Sequence, residues 1–271
     1  MKRIPVLPTL LTLGNGVCGF AAIAYASKIT LDGSLRDDLI DYYFLLSSGL
    51  ILLAMVFDVL DGYAARLSKS ASDFGGQLDS LCDAISFGAA PAFLLLRLGQ
   101  VWEGQLVIAK GVAIIAALYL ACAVLRLARF NTENSPDPSS HKKFKGLPSP
   151  AAAGCVASIA ILRADLGASW SGLDPHVLQG FVRVWAPLGA LTAALLMVSN
   201  FSYPHFGRQL LRGKRQFPFF VQAVCVLAVA ALTPHLALFV FFWAYALMGP
   251  ARYLVVQLRR RGLPEHTPGL H

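Results

Sequence analysis

Five of the fifteen acidic residues lie in one stretch, FDVLDGYAARLSKSASDFGGQLDSLCDAISFG at 57–88, as Asp58, Asp61, Asp73, Asp79 and Asp83. Asp58 and Asp61 are three residues apart, which puts both carboxylates on one face of a helix. Asp79 and Asp83 are four apart and do the same on the next helix. The polar loop between them, Ser68 to Gly76, is short enough to make the two helices an antiparallel pair, so the two faces can converge. Four carboxylates in one place do not all stay ionised without compensation, and oxygen-only ligands favour hard cations such as Mg²⁺ or Mn²⁺ over zinc. Two divalent ions would neutralise the cluster. Gly62 and the pair Gly75-Gly76 leave the backbone bare for a bulky group, and Arg66 carries a fork of donors suited to a phosphate. Taken singly, a pair of aspartates is usually a solvated face or a helix cap, and Gly-Gly is usually a turn. Together, at a membrane surface, these residues describe a pyrophosphate site.

The elements that must position these residues are membrane helices. Of 271 residues 56% are hydrophobic and only 14% charged, and the mean hydropathy of +0.60 excludes an ordinary soluble domain. The apolar residues come in runs long enough for a helix to cross a hydrocarbon layer of roughly 30 Å. A β-barrel would need segments of about ten residues that alternate apolar and polar, and none is visible. The fold class predicted is all-α, a polytopic transmembrane helical bundle, with spans at 8–27, 41–63, 77–98, 106–128, 149–164, 182–200, 216–233 and 236–256. These eight are read as a single transmembrane domain over 1–271, with the acidic motif at 58–83, a basic loop at 126–150 and a basic tail at 257–271.

The net charge of +8 would raise the question of nucleic acid in a soluble chain. Here topology explains it. With both termini cytoplasmic, 17 of the 23 Lys and Arg residues fall inside and six outside, as the positive-inside rule requires. The outside six are Lys28, Arg36, Arg97, Lys110, Arg163 and Arg183. The predicted location is therefore the plasma (inner) membrane, multi-pass, with both termini and the aspartates on the cytoplasmic side and no nucleic-acid partner. The start of the chain imitates a cleavable signal peptide, but its apolar run is long and Gly14-Asn15-Gly16 interrupts it, which suits a helix packed close to a polar site. Cys18, Cys82, Cys122, Cys155 and Cys225 have no paired spacing and read as small core residues.

The stretch DVLDGYAARLSKSASDFGGQLDSLCD at 58–83 resembles the signature of the CDP-alcohol phosphotransferase family, DxxDGxxARx8GxxxDxxxD. It matches at Asp58, Asp61, Gly62, Ala65, Arg66, Gly75, Asp79 and Asp83. The resemblance implies a six-helix core, usually in a homodimer, whose polar cavity opens to the cytoplasm. There a cytidine diphosphate lipid gives up its phosphoryl-linked group to an acceptor hydroxyl. It also implies Asp58, Asp61, Asp79 and Asp83 as ligands of Mg²⁺ or Mn²⁺, with two ions expected. Asp83 would double as the general base, and Gly62, Arg66, Ser72 and Gly75 would line the CDP-lipid site.

The acceptor has to be read elsewhere. IPVLPTLLTLGNGVCGFAAI at 4–23, RLARFN at 126–131 and FKGLPSPAAAG at 144–154 resemble the integral-membrane phosphatidylserine synthase branch of that family. The resemblance covers about the first 155 residues. It implies CDP-diacylglycerol and L-serine as substrates and phosphatidylserine and CMP as products. Serine brings a carboxylate, and Arg126, Arg129, Lys142, Lys143 and Lys145 supply basic groups on that side. Arg129, Asn131 and Lys145 are the expected serine contacts, although the positive-inside rule alone also predicts basic residues there. Glycerol 3-phosphate, inositol phosphate or choline are the alternative acceptors. Choline would call for an aromatic cage, whereas the loop at 129–148 offers only Phe130 and Phe144. An ion-coupled transporter with buried carboxylates predicts symmetric repeats, which are absent.

Overall fold

The computed structural model describes residues 6–30, 35–67, 73–99, 106–133, 146–169, 175–201, 203 and 234–261. These residues form α1 (Val6–Ala26), α2 (Asp37–Leu67), α3 (Asp73–Asp83), a π-helical turn (Ala84–Ala89), α4 (Ala90–Gly99), α5 (Leu106–Glu133), α6 (Ser149–Ser169), α7 (Pro175–Val198) and α8 (Pro234–Arg261). No strand occurs among them. The reason is elementary: within a hydrocarbon layer a backbone must satisfy its own hydrogen bonds, and a helix does so locally.

Local chemistry sets the helix ends. Pro175 and Pro234 open α7 and α8, where a missing N–H removes nothing the helix needs. Asp37 and Asp38 begin α2 and Arg66 closes it, each charge facing the helix-dipole end of opposite sign. Before α6 the chain turns at Gly146, whose φ of 88° lies in the left-handed region. The Gly146 N–H donates to Phe201 O (2.8 Å) and the Leu147 N–H to Leu196 O (2.9 Å), which ties the start of α6 to the end of α7.

Among the described residues six helices are long and apolar enough to cross a membrane: Val6–Ala26, Asp37–Leu67, Phe74–Gly99, Ile108–Thr132, Gly180–Val198 and His235–Leu258. The protein is a multi-pass helical membrane protein. Six of the eight expected spans correspond to these helices, and two do not. The predicted span 149–164 is a shorter apolar helix segment, Ser149–Ala164, and the predicted span 216–233 lies outside the described residues. The predicted span 77–98 starts earlier, at Asp73, and contains the π turn.

The core sits along α6. Every residue from Ala151 to Leu162 on this helix is buried, and α2, α4, α7 and α8 pack around it. Small side chains (Ala151, Ala152, Ala153, Ala157, Ala160) let those neighbours come close. The outer helices are the reverse, with Val6, Leu10, Val17 and Phe20 of α1 exposed where acyl chains would lie. α1 packs against α2, α3, the π turn and α4, and α5 packs against the π turn, α4 and α7. The π turn is thus enclosed between α1 and α5, directly after Asp83.

Candidate active site

The carboxylates meet where α2 and α3 converge. Asp58, Asp61 and Asp79 each place one oxygen so that the three lie within 4.8 Å of one another. Asp61 is 5% exposed, and two buried carboxylate oxygens, Asp61 Oδ2 and Asp79 Oδ1, have no hydrogen-bond partner. Like charges at this spacing repel, and orphaned buried acceptors cost stability. A divalent cation answers both problems, and an all-oxygen donor set suits a hard ion. The residues present fit a metal of that class.

Asp83 joins the cluster from the end of α3. It is 7% exposed, and its charge interacts with those of Asp58, Asp79 and Asp61. Its Oδ1 accepts a hydrogen bond from Asn15 Nδ2 of α1 at 2.8 Å. Asn15 is fully buried, and its own Oδ1 has no partner. Also on α1, Thr12 lies beside the Asp61 carboxyl while its hydroxyl donates to Pro8 O at 3.0 Å. One face of α1 therefore lines the acidic cluster.

The positive side of the site comes from α5. Arg126 interacts through its charge with Asp83 and Asp58. It also donates from Nη1 to Ser149 Oγ at the start of α6 (2.7 Å), and its Nε is buried without a partner. On α2 a Cβ at Gly62 would meet only the Arg66 guanidinium, at 3.6 Å, and one at Gly76 of α3 would meet nothing within 4 Å. Both faces are open for a bulky ligand, with Arg66 exposed beside the first. The arrangement combines an acidic cation cradle, bare backbone and an arginine fork, which are the parts needed to hold a pyrophosphate and displace one of its phosphoryl groups.

Comparison with known proteins agrees with this chemistry. Residues 5–197 match the family model described as CDP-alcohol phosphatidyltransferase. The chain belongs to the CDP-alcohol phosphatidyltransferase family. It is 31% identical over 255 residues to a Helicobacter pylori protein named CDP-diacylglycerol--serine O-phosphatidyltransferase, covering 94% of this chain and 93% of that protein. A Methanocaldococcus jannaschii protein of the same name is 33% identical over 208 residues (77% and 84% of the two chains). One from Bacillus subtilis is 30% identical over 201 residues (74% and 90%). The match to the CDP-alcohol phosphatidyltransferase family runs from α1 to α7 and includes all four aspartates.

The other residues predicted for this phosphatidyltransferase site are less tightly grouped. Asn131 bonds to Ser80 of α3, donating from Nδ2 to Ser80 Oγ at 2.9 Å and accepting at Oδ1 at 3.1 Å. Arg129 has Asn200 Oδ1 at 3.5 Å from its Nη2. Lys145 and Ser72 lie outside the described residues. Arg126, one turn before Arg129 on α5, interacts through its charge with Asp83 and Asp58. Three residues at the cluster carry little signal in the sequence, and Thr12 carries none. Arg126 was one of several basic residues that the positive-inside rule already explained. Asn15 was marked only by the break that Gly14-Asn15-Gly16 makes in an apolar helix.

Proposed function

We propose that this protein transfers the phosphatidyl group of CDP-diacylglycerol to the hydroxyl of L-serine, giving phosphatidylserine and CMP. The observation that carries the reading is the convergence of Asp58, Asp61 and Asp79 with Asp83 beside them. It is supported by relatives, named for this reaction with serine, that align over most of both chains. The four aspartates would hold two ions, Mg²⁺ or Mn²⁺. Bound there, such ions neutralise the pyrophosphate and the charge that develops on departing CMP. Gly62, Ser72 and Gly75 admit the CDP-lipid, and Arg66 donates to its phosphates. Asp83 takes the proton from the acceptor hydroxyl as its oxygen bonds to phosphorus. Arg129, Asn131 and Lys145 meet the serine carboxylate, while Arg126, hydrogen-bonded to Ser149, turns its charge toward Asp83 and Asp58. The reaction runs at the cytoplasmic face of the plasma (inner) membrane, in a homodimer, with the whole chain acting as one domain.

The test is CMP release by the purified protein from CDP-diacylglycerol with Mn²⁺ or Mg²⁺, comparing L-serine with glycerol 3-phosphate, inositol phosphate, choline and no acceptor. Release that depends on L-serine is expected. Release with another acceptor alone would overturn the serine assignment and keep the aspartate chemistry. No release with any acceptor would overturn both.

A further inference from the structure

We infer that Asn15 is a positioning residue for Asp83: its side-chain amide engages one carboxyl oxygen and leaves the other to receive the acceptor's proton. This rests on Asp83 being the base. The amide is aimed by construction. Asn15 lies nine residues into α1, roughly 14 Å along the helix at 1.5 Å per residue, where an apolar side chain would pack at no polar cost. It is instead fully buried, with Nδ2 on Asp83 Oδ1 at 2.8 Å and its own Oδ1 unpartnered. Packing alone does not call for an amide that is only half satisfied.

The register of α1 against Asp83 is fixed on both sides of this contact. Ser86, three residues beyond Asp83 in the π turn, donates to the Asn15 backbone carbonyl at 2.8 Å. Gly16 faces Cys82, where a Cβ would lie 2.9 Å from Sγ. Gly19 lies against Ser86 so closely that a Cβ would meet its Cα at 2.6 Å. Two hydrogen bonds thus run in opposite directions between Asn15 and the helix that carries Asp83. Turned the other way, the amide would set oxygen against oxygen, so the carboxylate keeps Nδ2 facing it.

The consequence for the reaction is specific. With Oδ1 occupied by the N–H, the acceptor O–H proton goes to Asp83 Oδ2. The acceptor oxygen uses the released electron pair to bond to the phosphatidyl phosphorus, and the bridging P–O bond breaks with its pair leaving on CMP. Without Asn15 the carboxyl can rotate, and fewer bound complexes hold Oδ2 in line for the transfer.

The experiment is steady-state CMP release by the full-length protein with L-serine and Mn²⁺. It compares Asn15→Ala, Asn15→Asp, Asp83→Asn and the Asp83→Asn/Asn15→Ala pair, with thermal unfolding and CDP-diacylglycerol binding measured on each. Ser47→Ala is the structural control, because Ser47 Oγ donates to Ala22 O of α1 at 2.8 Å, fully buried but further along that helix. Asn15→Ala should lower kcat about tenfold to 100-fold with the KM for CDP-diacylglycerol within about threefold of wild type. Asn15→Asp, which sets a second carboxylate against the first, should lose at least as much and serves if the alanine variant does not fold. The pair should be no slower than Asp83→Asn alone, since an amide has nothing to position once the base is gone. A wild-type kcat in Asn15→Ala or Asn15→Asp would overturn the inference. So would a loss that Ser47→Ala reproduces at the same drop in unfolding temperature. Full activity in Asp83→Asn would overturn the base assignment itself, whereas an inactive Asp83→Asn beside a fully active Asn15→Ala would overturn the role of Asn15 alone.

Discussion

At the residue scale the acidic cluster makes a prediction of opposite signs with and without metal. Three carboxylates within 4.8 Å repel one another, so Asp61→Asn should raise the unfolding temperature in a chelator by removing one like charge. The same substitution removes a donor whose Oδ2 is buried and unpartnered. The rise in unfolding temperature on adding Mn²⁺ should therefore shrink, because that rise measures binding to the folded state. Turnover should fall by more than the roughly 10- to 100-fold typical of changes outside a metal's direct ligands. Differential scanning with and without Mn²⁺ checks the first two points, and an undiminished Mn²⁺ shift would remove Asp61 from the cation site. The cluster was legible in sequence because spacings of three and four on consecutive helices fix which side chains share a face. Asn15 was not, because its partner lies 68 residues away and no local period links one amide to one aspartate.

At the element scale the fit of α1 against the π turn decides which glycines tolerate a side chain. A Cβ at Gly19 would approach Ser86 Cα to 2.6 Å and Cβ to 2.9 Å. Backbone lies in the way, so no rotamer relieves the clash and Gly19→Val should destabilise by about 1–3 kcal/mol. Because α1 carries Asn15, turnover should fall with it. At Gly49 of α2 a Cβ meets nothing within 4 Å, and Gly49→Ala should be neutral or stabilising by up to about 1 kcal/mol. Thermal unfolding of the two variants in one detergent tests the contrast, and equal effects would mean that the α1 interface is looser than described. The predicted span 77–98 locates this element but misses its π turn. Residues 84–89 read AISFGA, which has the same hydropathy whether wound as α or π, and neither Ser86 nor Gly88 tells the two windings apart. Its tertiary partners show only in three dimensions: Tyr119 Oη donates to Phe87 O at 3.2 Å and Ser86 Oγ to Asn15 O at 2.8 Å.

At the scale of the whole molecule, hydropathy reveals which segments are helices, whereas burial reveals how they are arranged. The sequence gives no sign that α6 is central, because an alanine-rich apolar helix reads the same against lipid as against protein. What places it is its burial, with Phe242 of α8 filling the space over Gly154 and Ile159 of α6 close to Gly189 of α7. The proposed sidedness is a matter of parity and charge together. The described helices α1, α2, α3 to α4, α5, α6, α7 and α8 make seven passes if each crosses once, and an eighth apolar stretch, 216–233, lies outside the described residues. Eight passes put both termini on one side, and seven put them on opposite sides. The 17 against six division of basic residues holds only for eight, and moving Arg252 and Arg259 to Arg261 outside would leave the most basic end of the chain on the disfavoured face. Reporters fused in turn to each end of the full chain should therefore both signal the cytoplasm, with a green fluorescent protein bright and an alkaline phosphatase inactive at either terminus. An active phosphatase at the C-terminus beside a fluorescent N-terminus would show an odd number of crossings. It would also put the α8 basic tail outside, while the aspartates at the α2–α3 junction would stay on the cytoplasmic side with the N-terminus.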